Sequence, residues 1–69
     1  PVQGEWLPGD VVLVKWPSMP APSHVAILGV YPHGGLSLLH AHSDWGVAEH
    51  RLDEDWTKLI TEVYRPWVA

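Results

Sequence analysis

Ser23-His24-Val25-Ala26-Ile27-Leu28-Gly29-Val30-Tyr31, followed by Pro32-His33-Gly34-Gly35 and then Leu36 to His42, is the stretch that decides the fold. The first run is of strand length, apolar at consecutive positions and rich in β-branched residues, so it reads as a strand apolar on both faces. Such a strand belongs in the middle of a structure. Pro32 to Gly35 reads as a hairpin connection with glycines available for positive φ, and it returns the chain as a second strand over 36–42. Toward the N-terminus, Pro8-Gly9-Asp10 is a turn signal and Val11 to Trp16 is a β-branched run that reads as the opening strand. The three prolines between Pro17 and Pro22 break any regular element and predict an exposed loop. Toward the C-terminus, Ser43-Asp44-Trp45-Gly46 is a turn and Val47 to Leu52 a short, half-exposed strand. Asp53-Glu54-Asp55 is an acidic cluster suited to open a helical turn, with Trp56 as its anchor, and Lys58 to Arg65 alternates as a last strand before Pro66. The expectation is a mainly β fold: a five-stranded curled antiparallel sheet or SH3-like barrel, since curling removes exposed edges.

With 69 residues and 7.7 kDa the chain holds one unit and no second core. It is 46% hydrophobic and 17% charged, which excludes a disordered charged tail, and no apolar run approaches the roughly 20 residues of a membrane span. Four Lys/Arg against eight Asp/Glu, a net charge of -4, leave no basic stripe for a row of phosphates, so nucleic acid is not an expected partner. There is no cysteine, hence no disulfide, no thiolate zinc site and no thiol nucleophile within these residues. A chain near 60 residues buries only about 60% of its unfolded surface and is marginal without a staple or partner. Together with the opening at Pro1, that marginality leads to the expectation that residues 1–69 are a fragment or processed piece of a larger domain. The five tryptophans read first as packing residues, and second as the lining of a carbohydrate or peptide groove.

Five histidines, His24, His33, His40, His42 and His50, are the chemically distinctive residues. If the strands flanking Pro32 to Gly35 pair so that partner numbers sum to an even value, His24, His40 and His42 share one face of the sheet. At a sum of 66, His24 lies opposite His42 and diagonal to His40. An odd sum separates them. An imidazole held in one tautomer by a second group is a general base for a nucleophile, and His24 and His40 suit those two roles. The competing accounts are polar strand-end residues satisfied by backbone or water, and a zinc-type metal site of His24, His40 and His42. His33 and His50 are expected in exposed positions. Asp10 and Asp44 read as turn residues rather than catalytic acids, and Asp53, Glu54 and Asp55 as a solvated helix start rather than a calcium loop.

Leu7-Pro8-Gly9-Asp10-Val11-Val12-Leu13, Ser23-His24-Val25-Ala26-Ile27-Leu28, Leu38-Leu39-His40-Ala41, and Gly46-Val47-Ala48-Glu49 with Leu52 and Trp56 behind it, occur in that order. In this order they resemble the C-terminal half of the NlpC-type cell-wall cysteine peptidases, and the phage and gene-transfer-agent tail peptidases of that family in particular. The resemblance runs from about Leu7 to Pro66. It implies the β half of a papain-like α+β domain whose other half carries the nucleophilic Cys on a helix. It further implies His24 as the base, with Ala26 where Gly is usual, and His40 as the residue orienting it. The implied substrate is the peptidoglycan stem peptide, cleaved by acyl transfer without metal or cofactor, in a secreted, cell-envelope or phage-like tail setting. Without a thiol, His24 and His40 are inactive alone, so the resemblance also implies a missing N-terminal half, a partner chain that supplies the Cys, or a degenerate homologue. The alternative from another class is a noncatalytic small β-barrel that binds a cell-wall glycopeptide or a protein partner.

Overall fold

The computed structural model describes residues 4–22, 24–42 and 46–67, without the side chain of residue 42. The elements are β1 (Val11–Val14), β2 (His24–Val30), β3 (Leu36–His42), β4 (Gly46–Arg51), α1 (Glu54–Leu59) and β5 (Ile60–Tyr64). All five strands join one antiparallel sheet in the order β4-β3-β2-β1-β5, so β2, apolar on both faces, takes the centre. The Pro32 to Gly35 connection folds as expected: Gly34 and Gly35 both have positive φ, and the Tyr31 amide donates to the Gly35 carbonyl. The turn at 43–45, with Asp44 and Trp45, lies outside the described residues, as does Ser23.

The sheet is neither closed nor strongly curled, which corrects the expectation of a curled sheet or barrel. Closure requires β4 to pair with β5, and the chain between them is spent on α1 instead. Asp53 caps that helix by accepting from the Trp56 amide, and Thr57 donates its hydroxyl to the Asp53 carbonyl. A polar N-cap followed by Glu54 and Asp55 starts the helix, while Ile60, extended at φ -78° and ψ 122°, ends it and enters β5. Helix α1 then seals one face of the sheet through Trp56 and Leu59, so the core is closed by a helix rather than by strand curvature. Two boundaries move for the same reason: β1 stops at Val14 because Trp16 turns onto the core, and residues 58 and 59 belong to the helix.

The sealed face carries Val12, Val14, Ala26, Leu28, Leu38 and Val63, all buried, flanked by Trp6, Trp16, Leu36, Leu52, Trp56, Leu59 and Ile60. The pairings Val12↔Ala26, Val12↔Val63 and Leu28↔Leu38 place these side chains across from one another. The other face carries Glu49, Arg51 and Glu62 toward its edges and an exposed apolar patch between them. Val25 is 54% exposed, Ile27 49% and Val47 75%, and with Leu39 and Ala41 they line a shallow groove of about 250 Å³. No helix among the described residues is long and apolar enough to cross a membrane.

The first turn is locked to the last strand. Asp10, fully buried, accepts from Arg65 Nε at 2.8 Å, from Arg65 Nη2 at 3.0 Å and from the Leu7 amide at 2.8 Å. Arg65 Nη2 also donates to the Glu5 carbonyl at 3.0 Å, and its guanidinium lies 5.4 Å from the Trp67 ring. Gly9, at φ 93°, lets the chain turn beneath that ring, where a Cβ would come within 2.9 Å of Trp67 Nε1. Asp10 is therefore a structural turn residue.

Candidate functional site

The β2–β3 register pairs Ile27 with Leu39 and Leu28 with Leu38, a sum of 66, and so has the even parity that gathers histidines on one face. Continued by one residue, it sets His40 beside Ala26, two residues from His24 on the same face. His24 Nε2 and His40 Nδ1 are 2.9 Å apart, with ring centroids 5.0 Å apart in an edge arrangement. His40 is 8% exposed, whereas His24, at the start of β2, is half-buried.

Residue 50 corrects the sequence reading. Expected to be exposed, His50 is half-buried, and its Nε2 lies 2.9 Å from His40 Nε2. The cause is again parity. β3 pairs with β4 as Leu38↔His50 and His40↔Ala48, an even sum of 88, so His40 and His50 share the sealed face. Each step along His24, His40 and His50 is therefore one strand across and two residues along, the diagonal spacing that imidazoles can bridge. A turn over 43–46 with a strand from Val47 gives an odd sum and separates His50 from His40, whereas β4 begins one residue earlier, at Gly46, and the sum becomes even.

Tryptophans wall the trio. Trp56 of α1 stacks on His50, centroids 5.0 Å apart and 27° between planes, and lies 5.6 Å from the His40 ring. Trp16 lies 5.6 Å from the His24 ring and meets Trp56 edge-on at 5.7 Å. Low local dielectric strengthens hydrogen bonds between the rings and raises the penalty for breaking them. His33 sits in the exposed hairpin against Tyr31, away from the site.

The alternative of a metal held by His24, His40 and His42 depends on the His42 side chain, which lies outside the described residues. His40 presents its two nitrogens to two different rings, an arrangement suited to proton exchange. Each N···N contact needs one N–H and one bare nitrogen, so the tautomers of the three rings are interlocked. Nδ1 of His24 makes no hydrogen bond among the described residues.

Fold and site together define a small open antiparallel sheet that carries three linked imidazoles on its sealed face. No protein-family model, curated protein or solved structure matches the chain.

Proposed function

We propose that these residues are the base-bearing C-terminal half of a cysteine peptidase that hydrolyses peptidoglycan stem peptides, and that the nucleophilic thiol comes from outside them. The observation that carries this reading is the His24–His40 contact at 2.9 Å, which holds the His24 ring by Nε2 and leaves Nδ1 open to a nucleophile. In the proposed chemistry a thiol gives its proton to His24 Nδ1 and the thiolate attacks the scissile carbonyl carbon. The tetrahedral oxyanion collapses as His24 returns the proton to the leaving amine. Water then hydrolyses the thioester, giving its proton to His24. His40 orients the base. The exposed apolar patch around Val25, Ile27 and Val47 supports the further proposal of a papain-like α+β domain, since a patch of that kind is covered in a complete layered fold. The proposed setting is the cell envelope, the secreted fraction or a phage-like tail particle.

The test is the intact mass of the native gene product before and after thiol alkylation, followed by assay on purified muropeptides. A product larger than 7.7 kDa that gains an alkyl adduct, cleaves muropeptides and loses cleavage on His24→Ala is expected. A thiol-free product that leaves muropeptides intact overturns the proposal. The lack of any cysteine in the 69 residues favours, as second reading, a noncatalytic module that binds a cell-wall glycopeptide or a protein partner. Binding of muropeptides without cleavage, by a thiol-free product, is its signature.

A further inference from the structure

We infer that His24, His40 and His50 form a proton relay, with His50 a positioning residue whose Nδ1 is the outer terminus of the proton path that begins at His24 Nδ1. The inference extends the reading of His24 as a base and rests on it for its purpose, but its geometry stands independently. His40 uses Nδ1 toward His24 and Nε2 toward His50, both at 2.9 Å.

Three neutral rings satisfy both contacts in two ways only. In the first, His24 Nε2–H donates to His40 Nδ1, His40 Nε2–H donates to His50 Nε2, and His50 carries its remaining hydrogen on Nδ1. His24 Nδ1 is then bare and able to accept a proton. In the second, every hydrogen has moved one place: His50 Nε2–H donates to His40 Nε2, His40 Nδ1–H donates to His24 Nε2, and His24 carries hydrogen on Nδ1. Binding a proton at His24 Nδ1 converts the first state into the second if the His24 Nε2 proton passes to His40 Nδ1, the His40 Nε2 proton passes to His50 Nε2, and the His50 Nδ1 proton leaves to water. One proton enters and one leaves. The three rings stay neutral throughout the net change, which matters where Trp16 and Trp56 pack against them and a buried charge is costly. The reverse passage delivers a proton from water to a group at His24.

His50 is half-buried on β4, an edge strand of the sheet, whereas His40 is enclosed on β3. Among the described residues, the groups packed against the path include Trp16 from the segment after β1, Trp56 from α1, and the rings of β2, β3 and β4 themselves.

The test is nitrogen-15 NMR of histidine-labelled native product. In the wild type, N–N couplings across both hydrogen bonds are expected, with the Nδ1 and Nε2 signals of His24 and His40 averaged between protonated and bare values. His50→Gln keeps an amide able to hold His40 but removes the second transferable site. It is expected to retain the His24–His40 coupling while losing the averaging at His40. Absence of a coupling between His40 and His50 in the wild type, which requires no variant to fold, overturns the relay. Tautomer averaging at His24 and His40 unchanged by His50→Gln overturns it equally. Neither result depends on muropeptide cleavage, so failure of the peptidase proposal and failure of the relay are separately visible.

Discussion

Two polar constellations lie on this small sheet, and they differ in whether their valences are filled. Around Asp10 both carboxylate oxygens are engaged, by the two-pronged Arg65 guanidinium and by the Leu7 amide, and the Arg65 fork reaches on to the Glu5 carbonyl. Along His24, His40 and His50 the inner nitrogens are engaged, while each chain end keeps an Nδ1 with no hydrogen bond among the described residues. A filled constellation has nothing left to offer a substrate and serves as a clasp between the first turn and the last strand. An open-ended one stores less stability but can exchange protons. Burial of polar groups alone therefore does not single out a candidate site in this fold; the proposed site is distinguished by an unfilled valence at the end of a held group.

Breaking the clasp gives the largest expected effect. Asp10→Ala strands the Arg65 guanidinium beside an apolar turn, and the melting temperature of the native product should fall by on the order of 10 °C or more. A drop of a degree or two by calorimetry would dissolve the contrast, since the filled constellation would then hold nothing. The same clasp has a pH signature. The hydrogen bonds from Arg65, and secondarily the Leu7 amide, hold the Asp10 pKa below its ordinary 3.8 against the upward push of burial. Its stabilisation is complete above that ordinary value and is lost as the pH falls through the lower folded-state value. Asp10→Ala should accordingly flatten the acid limb of the stability profile and leave the neutral region parallel to wild type.

A smaller effect is expected from Asp53→Ala. Loss of the N-cap should cost about 1 kcal/mol by denaturant titration. Because the cap holds the turn that carries Trp56, the ring-current shift of Trp56 on the His50 ring protons should shrink as well. Unaltered His50 signals would show that the wall over the open constellation is held without α1. The smallest effect belongs to a third kind of polar group. Ser37 is fully buried and its hydroxyl has no hydrogen-bond partner among the described residues, so it is neither filled nor open to exchange. Ser37→Ala should be neutral or stabilising by up to about 1 kcal/mol, because it removes a desolvated hydroxyl. A loss beyond that by the same titration would assign Ser37 an unrecognised partner.

The amino-acid sequence by itself determined the strands, the hairpin and the central place of β2. These follow from β-branched runs and from Pro and Gly punctuation, which act over a few neighbours and need no distant contact. It also determined that His24 and His40 meet once the register is even, because side-chain alternation makes a face a matter of parity. The openness of the sheet was decided only in three dimensions. Whether β4 meets β5 or α1 intervenes depends on how Trp56 and Leu59 pack against a core assembled from four other strands. Tertiary structure likewise decided the clasp, since residues 10 and 65 are separated by nearly the whole chain and no local pattern pairs them. His50 belongs with the clasp: its face turned on β4 beginning at Gly46 rather than Val47, and its place beside His40 on that register and on the stacking of Trp56.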